Sequence, residues 1–361
     1  MSTRSAFEQE TARLRVRRPV AGDLAAYTAL HTDPRTYVHA PASMPDAVGC
    51  RRRLVSELQH WETEGFGYLA VEDLVTGRVV GWGGVRSDDE ESDPGARAAL
   101  NLYYRLAHDV RGRGYGRELV RTIVAAAVEV LPDRTVLARA RRHNAGSVAT
   151  ALSAGLHEVG TEAHPADGPD DPPFVVLEAP HFTSVAALTP DLREEVLDLW
   201  TRVNDDGGAV GFQPGAHRPA IRAALSRHED VLADGRGVLA LLRAPDGRLL
   251  GLGFWLRDGW PGFAHIAMLW RFMVDPASQG RNTGRILLAG MHGLARTLPG
   301  VELLRLDYRS GLGVGDFYAR MGWVETGRQP LGLRFPDGDR RDDVQMARLP
   351  DGGPLVYDGR H

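Results

Sequence analysis

Arg111-Gly112-Arg113-Gly114-Tyr115-Gly116 and, 168 positions later, Gln279-Gly280-Arg281-Asn282-Thr283-Gly284 decide how this chain is read. Each stretch follows a strand-like run and opens an apolar helix. The echo extends outward: Asp23-Leu24 returns at Asp191-Leu192, Leu119-Val120 at Leu287-Leu288, and Leu131-Pro132 at Leu298-Pro299, all offset by 167 or 168. A repeat of that length is the size of a domain rather than of a solenoid unit. The spacing therefore predicts two copies of one fold, over residues 1–180 and 181–361, with the break near Pro180.

A chain of 361 residues with 43% apolar content suffices for two cores. Its basic residues are all arginine, which excludes mechanisms built on an enzyme lysine, Schiff bases among them. A formal charge of −4 and dispersed arginines leave no nucleic-acid footprint, and Arg51-Arg52-Arg53 reads as a solvated helix face. Cys50 is the single cysteine, so no internal disulfide is expected and a reducing compartment is. The first twenty residues lack the apolar centre of a signal peptide. No run approaches the ~20 apolar residues of a membrane span. A soluble, cytoplasmic protein with no membrane partner is the expectation.

Strands outnumber helices, and each copy reads as mixed α/β (α+β). In the first, strands are expected at 14–17, 68–71, 78–85, 100–106, 135–139, 156–161 and 174–178. Helices are expected after Asp23, over 47–61, from the glycine turn to the stop at Pro132, and from Asn144. In the second, strands are expected at 185–188, 237–242, 249–255, 266–274, 301–307, 323–327 and 343–349, and helices at 192–203, 285–296 and 314–321. The Asp88-Asp89-Glu90-Glu91 run and the segment 164–173 read as loops. His228-Glu229 lacks the second ligand of a zinc-protease motif and reads as surface, and one cysteine builds no zinc cluster, so no metal site is expected.

A turn of small residues between a strand and a helix presents backbone N–H groups that have no helical partner, and the helix dipole adds positive character there. Glycines at 112, 114 and 116 let a bulky pyrophosphate approach without Cβ interference, while Arg113 and Arg117 add charge. The plain alternative is a helix-opening turn with no ligand. The spacing fits the dinucleotide-binding fingerprint poorly, and a chain without lysine has no P-loop.

The order of strand, Arg/Gln-x-x-Gly-x-Gly turn, helix, strand and a short helix carrying Phe317-Tyr318-Ala319-Arg320-Met321-Gly322-Trp323 resembles the GNAT superfamily of N-acetyltransferases. The resemblance covers nearly the whole chain, once per half. It implies tandem GNAT domains of the mycothiol-synthase type, each a mostly antiparallel mixed sheet flanked by helices. The first half also resembles the ribosomal-protein alanine acetyltransferases in Gly81-Trp82-Gly83, the 111–116 turn and Asn144-x-x-Ser147. The implied co-substrate is acetyl-CoA or another acyl-CoA. In the first half it would be held by Arg111, Gly112, Arg113, Gly114, Tyr115, Gly116, Arg117 and Asn144, with its pantetheine arm beside Tyr104 and Leu106. In the second it would be held by Gln279, Gly280, Arg281, Asn282, Thr283, Gly284 and Arg285, beside Phe272 and Val274.

Acyl transfer to an amine needs a polarised thioester carbonyl, a neutral nucleophile and a proton for the departing thiolate. The resemblance assigns the carbonyl contact to the backbone amide of Phe272 or Tyr104 and the proton to Tyr318. The first half has Ala151 at the tyrosine's position, with Ser147 as its substitute acid. His265, Asp307 and a water relay are the candidates for the base, and Asp205 and Asp206 read as turn caps. The first copy thus keeps the better cradle and loses the tyrosine, whereas the second keeps the tyrosine and carries Asn282 in place of a glycine. The implied activity is acetylation of a small primary amine, by analogy a secondary-metabolite or antibiotic amine, with the second half catalytic and the first holding coenzyme for structure. The alternatives are an N-terminal half that acetylates protein N-termini, and a non-catalytic acyl-CoA-binding module. A homodimer is compatible with all three.

Overall fold

Two sheets, each with its own helices, organise the chain, which divides into the units Met1–His181 and Phe182–His361. The computed structural model describes residues 6–88, 98–163, 172–208, 210–335 and 338–355. The N-terminal unit runs β1 (Gln9–Glu10), β2 (Leu14–Arg17), α1 (Leu24–His31), α2 (Ala47–Glu64), β3 (Tyr68–Asp73), β4 (Val79–Ser87), β5 (Ala99–Leu106), α3 (Tyr115–Val130), β6 (Thr135–Arg141), α4 (Ala145–Ser153), β7 (His157–Glu162) and β8 (Phe174–Glu178). Its strand order is β1-β2-β3-β4-β5-β6-β8-β7. Neighbouring strands are antiparallel except β5 and β6, which are parallel because α3 crosses between them.

The second sheet begins with β9 (His181–Val185) and continues through α5 (Pro190–Asp205), α6 (Arg218–Ala233), β10 (Gly237–Arg243), β11 (Leu249–Leu256), β12 (Ile266–Val274), α7 (Thr283–Ala295), β13 (Leu303–Arg309), α8 (Val314–Arg320), β14 (Val324–Arg334) and β15 (Arg340–Arg348). Its order is β14-β15-β13-β12-β11-β10-β9, with β12 and β13 parallel and spanned by α7.

Side-chain alternation along each strand sorts the two faces. In the N-terminal unit Trp82 meets Tyr27 of α1 at 4.9 Å, and this face packs Cys50 and Leu54 of α2. The opposite face lies under α3, whose Leu119, Val120, Ile123, Val124 and Ala127 are buried at helical spacing. In the C-terminal unit Trp200, Leu197 and Leu225 pack on Leu239, Leu252 and Phe254.

Three expectations are corrected. The strand expected at 185–188 lies earlier, at His181–Val185, and the one expected at 323–327 runs on to Arg334. The helix α6 was not anticipated: its buried stripe Ile221, Ala224, Leu225, His228 and Leu232 has helical spacing but is narrow and broken by a histidine. That histidine is buried at 8% exposure and stacks on Trp200, so it is not a surface residue. Asp88 pairs with Arg139 at 2.7 Å, whereas 89–91 and most of 164–173 lie outside the described residues.

Candidate active site

The two repeated turns follow the same backbone path. Gly112 and Gly114 have φ of 74° and 79°, and Gly280 and Asn282 have 74° and 70°. Asparagine is among the few non-glycine residues that enter the left-handed region at low cost, which is why the second turn survives without its glycine. Gly114 and Asn282 stand at the N-caps of α3 and α7, and neither helix has a capping side chain, whereas Asp46, Asn144 and Thr189 cap α2, α4 and α5. Without a side-chain cap, the N-termini of α3 and α7 are suited to an external anion. A Cβ added at Gly112 or Gly280 would meet nothing within 4 Å, so the outer side of each turn is clear.

Side chains around the turns divide into rim and scaffold. Arg113, Arg117 and Arg281 are exposed at the rim, and Gly116, Gly284 and Arg285 are half-buried. Tyr115 is turned inward, its hydroxyl donating to Asp73 at 2.5 Å, and the buried Thr283 hydroxyl donates to the Ser278 carbonyl at 2.8 Å. These two residues offer a ligand their backbone only. Arg111 donates to the carbonyls of Arg35 and Thr36 at 3.0 and 3.2 Å, Asn144 accepts from the Ser147 amide at 3.3 Å, and Gln279 reaches back to the Val274 carbonyl at 3.4 Å.

Each parallel strand pair forks. β5 and β6 are in register only over Ala99–Asn101 and Thr135–Leu137, and β12 and β13 only over Ile266–Met268 and Leu303–Arg305. Tyr104 and Leu106, like Phe272 and Val274, lie past the last paired position, where strand edges face a gap. An extended amide-bearing arm can add to such an edge as a strand would. An anion cradle at the end of a forked strand fits both the diphosphate and the pantetheine arm of coenzyme A.

The C-terminal fork carries two further features. Between β11 and β12 the register jumps from Leu252↔Met273 to Phe254↔Trp270, and within this bulge Arg271 takes φ 52°, a strained value for a side-chain-bearing residue. Tyr318 of α8 lies with its ring 6.2 Å from those of Phe272 and Tyr308. It is buried, burial raises its pKa above the ordinary phenol value, and its hydroxyl has no hydrogen-bond partner among the described residues.

Asp307 alternates with Tyr308 on β13 and so projects to the opposite face, 3.7 Å from Arg305, where burial and Asp343 raise its carboxyl pKa. His265 precedes β12 at the closed end of the fork, exposed, its carbonyl bonded by the Glu302 amide at 2.9 Å. Seven residues of strand, roughly 23 Å, separate it from Phe272, so the structure does not bring His265 to the site.

The face between β4, β5 and the helices α1 and α2 holds residues the sequence did not single out. Glu57 is 5% exposed and accepts from the Tyr27 hydroxyl at 2.9 Å and from Trp82 Nε1 at 2.5 Å. Burial pushes its pKa up to about 7 against the pull of those two donors. His31 Nδ1 bonds the Tyr27 carbonyl at 2.9 Å and must donate there, which leaves Nε2 to accept from Tyr103 at 3.3 Å. Burial lowers the His31 pKa to about 4. Arg105 Nε in turn donates to the Tyr103 hydroxyl at 2.8 Å. Around this chain lies a cavity of ≈ 360 Å³ whose wall includes Tyr37, Tyr68, Arg53 and Arg86. One signal was available in α2: Cys50, Leu54, Glu57 and Trp61 form a buried stripe in which a carboxylate replaces an apolar residue.

Residues 13–157 match the family model described as the acetyltransferase (GNAT) domain. Among solved structures, the chain is similar to a GNAT-family acetyltransferase from Streptococcus pneumoniae, at 16% identity and a TM-score of 0.40, over 47% of this chain and 99% of that one. It is similar to the ribosomal-protein-S18-alanine N-acetyltransferase from Escherichia coli, at 19% identity and a TM-score of 0.36, over 50% and 99%. It is also similar to spermidine N-acetyltransferase from Vibrio cholerae in complex with CoA and spermine, at 17% identity and a TM-score of 0.40, over 47% and 96%. The mixed sheets flanked by helices match the GNAT fold, and residues 13–157 form a GNAT acetyltransferase domain. The family match supports an N-acetyltransferase, with acetyl-CoA as the acyl donor. No helix among the described residues is long and apolar enough to cross a membrane.

Proposed function

We propose that this chain transfers an acetyl group from acetyl-CoA to a small primary amine, by direct transfer between two bound substrates. In this reading both units are GNAT domains, the C-terminal one catalyses, and the N-terminal one holds a second coenzyme molecule for structure. The observation that carries it is the buried Tyr318 ring beside Phe272, past the point where β12 and β13 part, with its hydroxyl unpartnered among the described residues.

Acetyl-CoA supplies an acyl group activated as a thioester. The amides of Gly280 to Gly284 bind its diphosphate, and the free edge of Phe272 to Val274 aligns its arm. At the Arg271 bulge the strand ladder is locally broken, which frees backbone N–H to polarise the carbonyl. Tyr318 keeps its proton through neutral pH and donates it to the departing sulfur. Asp307 lies on the face of the sheet opposite Tyr318 and accepts the amine's proton, directly or through water.

The test is coenzyme-thiol release over a panel of primary amines, comparing the intact chain with Tyr318→Phe. Turnover is expected to fall while coenzyme affinity holds, the pattern of a group used in the transition state; undiminished turnover would sink the assignment. A second reading, in which the N-terminal unit acetylates a protein N-terminus with Ser147 as acid, is favoured by the open cavity on that unit. Loss of activity in Ser147→Ala, with Tyr318→Phe unaffected, selects it.

A further inference from the structure

The N-terminal cavity has an unbalanced charge. Arg53, Arg86 and Arg105 line it, and Glu57 is the only carboxylate among its lining residues. Both Glu57 oxygens are already engaged, one by Tyr27 and one by Trp82. The three guanidiniums are instead held by neutral groups. Arg105 donates to the Tyr103 hydroxyl and the Thr36 carbonyl and lies 3.5 Å from the centre of the Tyr37 ring. Arg86 lies over the Tyr68 ring at 5.6 Å, and Arg53 donates to the Ser43 carbonyl at 3.3 Å. Rings and carbonyls orient these cations without neutralising them, so the positive field stays directed into the hollow. Planar guanidiniums fixed in this way are suited to bidentate recognition of an oxyanion.

We propose that this cavity binds a small organic anion, a carboxylate or phosphate ester, whose charged group is held by Arg105 and Arg86 and whose body lies against the tyrosines. A volume of ≈ 360 Å³ admits a metabolite and excludes a folded chain. The inference stands whichever unit transfers the acetyl group. If the N-terminal unit does so, the ligand is an acidic acceptor; if not, it is an effector.

Arg105 and the turn residue Arg111 both donate to the Thr36 carbonyl, so the cavity adjoins the coenzyme turn and the two must be told apart. Calorimetry on the full chain, with and without saturating CoA, would use glutarate, inorganic phosphate and putrescine as probes. Glutarate or phosphate is expected to bind at one site in the presence of CoA, at least tenfold more weakly in Arg105→Gln, while any heat from putrescine is the same in the variant as in the wild type. The first two probes distinguish the carboxylate source from the phosphate source. No heat from either anion, anion binding unchanged in Arg105→Gln, or anion binding abolished by CoA would overturn the proposal. Should Arg105→Gln fail to fold, Arg86→Gln carries the same expectation.

A second readout separates this site from a merely structural arginine cluster. Glu57 is faced by Tyr27 and His31 from α1, Arg53 on its own helix, Tyr68 from β3, Trp82 and Arg86 from β4, and Tyr103 and Arg105 from β5. Affinity for glutarate, whose carboxylates are already ionised in this range, should fall as the pH rises from 6 to 8 and Glu57 ionises beside the ligand, and the slope should vanish in Glu57→Gln. A slope that persists in Glu57→Gln would count against the site.

Discussion

The N-terminal unit keeps a hollow between its first two helices and its sheet, whereas the C-terminal unit fills the corresponding face with Arg271. That guanidinium lies 5.1 Å from the Trp200 ring and 5.3 Å from the Trp270 ring, and donates to His228 Nε2 at 3.3 Å and the Val210 carbonyl at 3.1 Å. Burial lowers its pKa to about 10 and, with Arg271 beside it, lowers that of His228 to about 4. One residue of register makes the difference. β4 and β5 pair without a shift from Gly81↔Leu106 to Ser87↔Leu100, while the bulge in β12 swings an extra side chain into the core face. The two sheets thus differ, a hollow on one and a strained strand edge on the other, by a single inserted residue, with both turns on the same backbone path.

The sharpest way to break the proposed division of labour is to remove the proposed acid. Tyr318→Phe is expected to cost between about 10²- and 10⁴-fold in kcat, the usual range for general acid catalysis, with Ser147→Ala leaving kcat in place; steady-state thiol release checks both. The next effect is on stability. The ordinary carboxyl pKa of 4.5 is raised at Glu57 to about 7, so between these values the folded chain keeps a proton that the unfolded chain has lost. Stability therefore falls as pH rises through that window, by about 3 kcal/mol relative to Glu57→Gln. His31, lowered from 6.5 to about 4, acts in the opposite sense, losing stability as pH falls below 6.5, and is common to both chains. Denaturant midpoints at pH 5 and 7.5 for wild type and variant measure the difference.

A smaller effect tests whether the two turns are equivalent. Asn282→Val places a β-branched residue at φ 70° and should cost roughly 1–2 kcal/mol, reducing the coenzyme count in native mass spectrometry from two to one. Gly114→Val should do the same for the other unit. The smallest change expected is Asn282→Gly, which keeps both coenzymes and alters stability by less than about 1 kcal/mol, measured as Tm.

The turns were legible because a left-handed anion cradle needs particular residues at consecutive positions, and Asn282 obeys that rule as glycine does. Most strands were legible from period-two apolar runs. The cavity was not: its lining comes from α1, α2, β3, β4 and β5, brought together only by tertiary packing. Its key carboxylate sits on an apolar stripe where composition gives no warning. His228 escaped for a related reason, since only the rings of Trp200 and Phe254 make a histidine a core residue. His265 looked eligible from its strand alone, yet the direction of the fork leaves it at the wrong end.

A sheet that parts along its middle carries an internal fault line, and each half of this molecule has one. A coenzyme arm lying in the gap would act as a splint across it, so holding the chain in coenzyme at a hundred times its dissociation constant should raise its resistance to unfolding by about 2.7 kcal/mol per site. Purification and storage without the thioester leave both seams open.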